Sequence, residues 1–236
     1  MTARIDRWFL KYISCEKDEP QFYSSYGSFM HRLIDGFYKG RYSKSELRLK
    51  FLTGFQTEVQ GERPPGETVG KYVEQGLAFL DSIEPLPFNM VSTEKQLSFE
   101  IDGVRFTGVI DYLGERDGDL YIVDHKSRDM KPRSKRKKPT AKDAELDEML
   151  IQLYLYAEAV RQKYGVFPKA LCFNCFRTGV FIEEPFDKTA FDTAVKRVIS
   201  DIRYIENEDD FPPRIEFFSC KSICGVHSEC CYYDGR

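Results

Sequence analysis

Two aspartates and a lysine in the middle of the chain have the types and spacing needed to hydrolyse a phosphodiester bond. Asp111 follows the strand-like segment TGVI, and Asp124 follows YIV thirteen residues later, with Lys126 two positions further on. Carboxylate oxygens bind Mg²⁺, which can activate water and neutralise charge on a phosphate while an ammonium orients the nucleophile. Side chains alternate along a strand, so Asp124 and Lys126 should share one face and His125 the other. An isolated D-x-K triplet is most often a surface ion pair, so the interpretation depends on the surrounding sequence.

The pairing of the two strands decides whether these carboxylates converge. Asp117-Gly118, between the aspartates, is a strong hairpin signal. We place both aspartates at strand ends, where strict antiparallel pairing would separate them, because the end of one strand lies beside the start of the next. A bend or a crossing between the strands would then be needed to bring the carboxylates together.

The hydrophobic spacing predicts a helical first third followed by strands and helices. The early helices are predicted at Tyr26–Tyr38, Ser43–Val59 and Glu67–Ile83. Alternation then predicts an antiparallel meander with strands at 91–101, 104–113 and 119–125. A helix at Asp143–Tyr164, one strand at 170–183, a helix at 187–205 and a cysteine-rich tail follow.

The composition is that of one packed domain, with 42% hydrophobic and 14% aromatic residues. We expect a single domain over residues 1–236, made of a helical region (1–90), a catalytic core (91–186) and a C-terminal helix with the tail (187–236). No apolar run approaches the roughly 20 residues that span a bilayer, and the first segment is too charged for a secretion signal. We therefore expect a soluble, cytoplasmic protein that does not bind membranes.

A net charge of −3 gives no overall attraction to nucleic acid, so any such binding depends on local clusters of basic residues. One cluster is present in KPRSKRKKP, Lys131–Pro139, where six of nine residues are basic. Mutual repulsion and two prolines predict a mobile loop. Without other signs of a nucleic-acid substrate, a solvated loop that promotes solubility would be an equally good interpretation.

Several short motifs resemble those of one nuclease family. GVID, ending at Asp111, and IVDHKS, which contains Asp124 and Lys126, resemble the paired signature strands of the PD-(D/E)XK nucleases, in the RecB-like exonuclease branch. YGSFMH, with Gly27 and His31, resembles the G-x-x-x-H motif of that branch, whose histidine is a metal ligand. A lone histidine on a helix is more often a packed structural residue, but the order of the motifs favours the ligand.

Two further positions fit the same resemblance. Gln152 and Tyr156, four residues apart on a predicted helix, resemble the Q-x-x-x-Y motif and should project from one face. Glu94 lies where related nucleases often carry an accessory acid, although a glutamate at a strand edge is the commoner explanation.

The resemblance implies an α/β fold of the restriction-endonuclease type, with a mixed central sheet flanked by helices. It also implies an exonuclease that hydrolyses DNA with Mg²⁺ or Mn²⁺ in a bacterial or phage-infected cell, for recombination, repair or phage DNA processing. The alternatives are a nuclease subunit that needs a helicase or single-strand annealing partner, and a non-catalytic DNA-binding module. The implied metal ligands are His31, Asp111, Asp124 and the main-chain carbonyl of His125, and the implied catalytic residues are Asp111, Asp124, Lys126, Gln152 and Tyr156. The expected DNA-binding residues are Arg128, Lys131, Arg133, Lys135, Arg136, Lys137 and Lys138.

The seven cysteines fall into two groups. Cys172 and Cys175 lie in an alternating apolar stretch and are expected in the core. Some RecB-like nucleases, including CRISPR-adaptation nucleases, bind a [4Fe–4S] cluster through one cysteine before the histidine motif and three near the C-terminus. The residues that resemble this set are Cys15, Cys220, Cys224, Cys230 and Cys231, although the tail has three residues between its first two cysteines where that pattern has two. Zinc bound through tail cysteines and His227, or free thiols, remain as alternatives.

Overall fold

A five-stranded mixed sheet with flanking helices forms the centre of the fold, and a mixed sheet flanked by helices is what the resemblance implies. The computed structural model of the protein describes residues 14–15, 17–207 and 217–230. The strands are β1 (Asn89–Ile101), β2 (Val104–Arg116), β3 (Asp119–Lys126), β4 (Ala170–Cys175) and β5 (Val180–Pro185). The helices are α1 (Phe22–Tyr38), α2 (Lys44–Glu58), α3 (Gly66–Ser82), α4 (Ala141–Tyr164), α5 (Lys188–Glu206) and α6 (Phe217–Ser222), with a short 3₁₀ turn at His227–Glu229.

Spatial order in the sheet follows the order of the chain. Strands β1, β2 and β3 form the predicted antiparallel meander, and β3 pairs in parallel with β4 after the crossover through α4. Both residues of the turns Asp102-Gly103 and Asp117-Gly118 have positive φ, as a two-residue hairpin turn of type I′ requires.

The prediction of one strand at 170–183 is wrong, because two antiparallel strands occupy this stretch. The N–H groups of Thr178 and Gly179 both donate to the carbonyl of Cys175, and Gly179 has a φ of 68°, so the chain reverses there. Alternation on both sides of the turn concealed it. Strand β4 is buried throughout, whereas β5 is partly exposed.

Helix α4 covers one face of the sheet with the apolar stripe that its sequence predicts. Leu146, Leu150, Leu153 and Ala157 are all buried there. The helix begins at a capping box in which the Thr140 side chain accepts from the N–H of Asp143, and it ends at Gly165 in the left-handed conformation.

A second, aromatic-rich core joins helices α1, α2 and α3. Phe22, Tyr26, Phe29 and Phe51 are buried in it. Phe176, just after β4, also packs into this core, so the helical region is attached to the sheet near the end of β3 and β4.

Residues 17–20 meet the C-terminal tail. The N–H of Glu19 donates to the carbonyl of Gly225 at 2.8 Å, and the rings of Tyr23 and Phe218 are 5.5 Å apart. A side chain at Gly225 would collide with Asp18 and with the backbone of Glu19, so only glycine allows this approach. Within the described part of the chain, no helix has the length and apolar character needed to cross a membrane.

Candidate active site

Three acidic residues lie side by side on three adjacent strands. The pairs on either side of Glu94 place it opposite Asp111, and the last pair between β2 and β3, Tyr112 with Val123, places Asp111 beside Asp124. The expectation that pairing would separate the aspartates is wrong, because β2 continues past Asp111, which is therefore within the strand and not at its end. No crossing of the strands is needed.

The backbone pairing between β2 and β3 ends next to this row. Beyond the Tyr112–Val123 pair, the side chain of Asp111 replaces the backbone acceptor, and its Oδ2 accepts from the N–H of His125 at 2.7 Å. Glu94 has a φ of 44°, a left-handed conformation that costs a non-glycine residue about 1–2 kcal/mol. Backbone strain of this kind is concentrated at functional sites.

Helix α1 brings His31 to the same row. Its Nε2 lies 2.8 Å from the carbonyl oxygen of His125, which can only accept, so Nε2 carries a proton. Its Nδ1 lies 3.5 Å from Asp111 Oδ1 and 3.8 Å from Glu94 Oε1. His31, Glu94 and Asp111 each offer a ligand atom within 4.8 Å of the others, which makes them a candidate metal centre in the described ranges.

This grouping differs in part from the ligand set that the resemblance implies. Glu94 joins His31 and Asp111, whereas Asp124 lies beside them with its Oδ2 2.8 Å from Lys126 Nζ. Glu94 is therefore one of the three candidate ligands, although its sequence context favours an ordinary residue at a strand edge. The signal that identifies it is its position opposite Asp111 in the strand register.

The electrostatics of the row favour a cation. Burial raises the pKa of Asp124 to about 6, with a further contribution from the charge of Asp111. Burial and Asp111 also raise the pKa of Glu94. Although burial alone would lower the pKa of His31, its hydrogen bond to Asp111 and the surrounding carboxylates raise it. A hard divalent cation, which prefers oxygen ligands, fits this donor set because it would offset the repulsion.

His125 contributes its backbone to the site, and its side chain is part of the core. The ring is stacked on Tyr38 with centroids 5.8 Å apart, and its Nδ1 is 3.2 Å from Asn174 Nδ2. Burial lowers the pKa of His125 to about 4, so the ring is neutral near pH 7.

A chain of contacts leads from Asp124 across to helix α4. Lys126 Nζ donates to Gln152 Oε1 at 3.3 Å, and Gln152 Nε2 donates to the Tyr156 hydroxyl at 3.0 Å. The Tyr156 ring rests on Gly108, where an added Cβ would lie 2.5 Å from the ring. The motif glycine of β2 therefore leaves room for the motif tyrosine of α4.

Arg177 supports the site without having been predicted from the sequence. Its guanidinium lies 3.6 Å from the Tyr72 ring centroid, its Nε donates to Gln75, and its Nη1 donates to the carbonyl of Ser127 at 3.0 Å. The residue next to Lys126 is thereby tied to α3. No motif marks Arg177, because the relation arises only when the β4–β5 turn reaches the helical region.

The basic residues after β3 fall into two groups. Arg128, Lys131 and Arg133 form ion pairs with acidic side chains. Residues 135–138 are exposed, and none of the four forms an ion pair with another described residue. The sequence predicts a mobile loop here, whereas the structure anchors the loop at Ser134 and Thr140 through Asp143.

The cysteines separate as their positions suggest. Cys172 and Cys175 are buried in β4, Cys15 is exposed, and Cys220, Cys224 and Cys230 are partly buried. Cys231 lies outside the described residues. His227 Nδ1 donates to the carbonyl of Cys224 at 2.6 Å.

The geometry predicts that Glu94 contributes to metal affinity. Glu94→Gln should weaken Mn²⁺ binding at least about tenfold, as Asp111→Asn should, because each removes a charged ligand. Isothermal titration calorimetry measures this, with Glu100→Gln on the same strand as the matched control. Binding by Glu94→Gln at the control's affinity would exclude Glu94 from the ligand set.

Comparisons with known proteins identify the family and the fold. The family model of the PD-(D/E)XK nuclease superfamily matches residues 6–231. The chain is similar in fold to the crystal structure of a candidate exonuclease from Eubacterium rectale, with a TM-score of 0.53 and 18% identity over 90% of this chain and 77% of that one. No curated protein sequence matches significantly. Since the family model covers nearly the whole chain, the protein belongs to the PD-(D/E)XK nuclease superfamily.

Proposed function

We propose that the protein is a metal-dependent DNA exonuclease of the RecB-like branch, acting as one domain in recombination, repair or phage DNA processing. The observation that carries this proposal is the meeting of His31, Glu94 and Asp111 beside the Asp124–Lys126 pair. The alternative is a subunit that acts only with a helicase or annealing partner, and activity of the purified chain on linear DNA distinguishes the two.

The proposed ion is Mg²⁺ or Mn²⁺, and its ligands would come from His31, Glu94, Asp111, Asp124 and the carbonyl of His125. When bound, the ion would act as a Lewis acid toward the phosphate and lower the pKa of a water molecule. The proton on His31 Nε2 is engaged by the His125 carbonyl, so Nδ1 is the nitrogen that faces the carboxylates. A carbonyl oxygen has two lone pairs, so accepting this hydrogen bond leaves one pair available to the ion.

Lys126 is the residue we assign to orienting the nucleophile, because its ammonium has no lone pair with which to accept a proton. Asp124 on one side and Gln152 on the other hold its ammonium. Gln152 is in turn fixed by Tyr156, whose ring is confined by Gly108. Gln152 and Tyr156 therefore act by positioning Lys126.

The central prediction concerns Asp111 and Lys126. Asp111→Asn or Lys126→Ala should abolish Mg²⁺- or Mn²⁺-dependent degradation of linear DNA while the fold is retained, because both side chains act at the site. Release of acid-soluble nucleotides measures activity, and circular dichroism checks the fold. Lys169→Ala, an exposed lysine at the start of β4, is the control. Wild-type rates in either site variant would refute the proposed function.

A second prediction separates positioning from ligation. Gly108→Ala should displace the Tyr156 ring and lower kcat by roughly 10- to 100-fold, because misplacement of a catalytic group by about 1 Å can cost that much. Mn²⁺ affinity should stay unchanged, since no ligand moves. Gly70→Ala in α3, where an added Cβ meets nothing within 4 Å, is the matched control. A parallel loss of metal affinity would contradict the positioning role.

We also propose that Cys15, Cys220, Cys224 and either Cys230 or Cys231 bind a [4Fe–4S] cluster, with zinc held through His227 as the alternative. The contact of Glu19 with Gly225 supports this, because it holds the segment after Cys15 against the residue that follows Cys224. A cluster shared by the two segments would clamp them together.

The colour of anaerobically purified protein tests the cluster. Wild-type protein should be brown, with a broad absorption in the visible region. The Cys15→Ala variant should lose this colour, whereas the Cys172→Ala variant, which changes a buried cysteine, should keep it. Colourless protein with bound zinc would establish the alternative. Protein that contains neither metal would refute both, without affecting the nuclease assignment.

A further inference from the structure

Asp143 joins the two ends of the basic loop. Its carboxylate accepts from the N–H and hydroxyl of Ser134, at 2.6 and 2.7 Å, and from the N–H and hydroxyl of Thr140, at 2.6 and 2.8 Å. Only 3% of the residue is exposed. These four donors hold the pKa of Asp143 well below its usual range, so its carboxylate stays ionised far below neutral pH.

A helix cap alone does not account for this arrangement. The bonds to Thr140 complete the capping box of α4. The bonds to Ser134 add nothing to the helix, but they close a loop whose tip is Lys135, Arg136, Lys137 and Lys138. Four adjacent cations repel one another, so an unanchored segment would spread apart.

The charges at this tip are available to a ligand, unlike those before it. Arg133 is held by Asp147 and Glu184, and Arg128 is held by Glu145. The tip residues form no ion pair with any other residue in the described ranges. The acidic neighbours thus neutralise Arg128 and Arg133, which precede the tip, and the tip itself keeps its positive charge.

The loop has a fixed distance from the catalytic lysine because both depend on α4. Asp143 precedes Gln152, which contacts Lys126, by nine residues. At 1.5 Å per residue this is about 13 Å along the helix. The anchor of the loop and the residue that contacts Lys126 are therefore held apart by one helix.

We propose that residues 134–140 are a preorganised phosphate-binding loop, closed by Asp143, that holds the DNA backbone to one side of the scissile bond. This rests on the proposed function, since it takes DNA as the substrate. Closure before binding removes the ordering cost that a flexible basic segment would pay on binding.

A double-mutant cycle tests the loop, with each variant in the full chain carrying Lys126→Ala so that DNA is not degraded. The first variant is Asp143→Ala, the second replaces residues 135–138 with alanine, and the third combines both. Asp187→Ala is the matched control, because Asp187 caps α5 through the N–H of Ala190 and touches no basic loop. Fluorescence anisotropy with a labelled duplex gives the affinity at several salt concentrations.

Asp143→Ala should weaken DNA binding roughly three- to tenfold, and it should have no further effect once the tip is neutral, because both changes act through the same phosphate groups. The tip variant should reduce the salt slope by about 0.9 for each phosphate that the loop no longer neutralises, up to about 3.6 for four phosphates. Trypsin should cut residues 135–138 faster in Asp143→Ala than in the Asp187→Ala control.

Three results would overturn the inference. An equal effect of Asp143→Ala with and without the tip charges would make Asp143 a helix cap only. An unchanged salt slope in the tip variant would exclude phosphate binding by the tip, and unchanged trypsin cleavage would exclude the closure. If one of these results is obtained and the chain with Lys126 intact still degrades DNA, the loop proposal fails and the proposed function holds. A chain that neither binds nor degrades DNA would refute both.

Discussion

The repulsion within the row of Glu94, Asp111 and Asp124 is the constraint on which the rest of the site depends. Two hairpins fix these carboxylates on adjacent strands, so they cannot move apart without breaking the sheet. Burial makes each ionised group more costly. The protein offsets the cost with groups that favour the charged form, namely the ring of His31, the N–H of His125 and the ammonium of Lys126. These groups do not fully offset the repulsion between the carboxylates, because the pKa values of Glu94 and Asp124 remain raised.

The helices carry out two separate tasks around this row. Helix α1 brings His31 to the His125 carbonyl and stacks Tyr38 on the His125 ring, so it fixes the residue between Asp124 and Lys126 from both its backbone and its side chain. Helix α4 approaches from the other core and fixes Lys126 through Gln152. The position of His31 thus depends on the helical core, and the placement of Lys126 depends on the packing of α4 against β2.

Much of this geometry is contained in the sequence, but one step of the interpretation was wrong. A two-residue turn at Asp117-Gly118 pairs Arg116 with Asp119, and counting back places Asp111 opposite Asp124. The same count from the Asp102-Gly103 turn places Glu94 opposite Asp111, because the register shift in β1 lies beyond it. The error was to treat a motif aspartate as the end of its strand.

Other features could not be obtained from local pattern. The turn between β4 and β5 interrupts a stretch that the sequence presents as one strand, and it is seen only in the hydrogen bonds to the Cys175 carbonyl and the positive φ of Gly179. The approach of His31 to the sheet and the contact of Arg177 with Ser127 depend on how two cores pack together. The closure of the basic loop depends on the single carboxylate of Asp143, which the sequence marks only as the first residue of a predicted helix.

An acidic site in a chain of net charge −3 must also bind a polyanion. The row of carboxylates repels a phosphate at short range, and the cationic tip at residues 135–138 can attract the backbone only some distance away. A bound divalent ion changes the sign of the local field, so it would stabilise the carboxylates and the approaching phosphate together. Metal and DNA binding are then thermodynamically linked, and each should raise the affinity for the other by the same factor. Without the ion, the carboxylates would weaken the binding of the backbone beside Lys126.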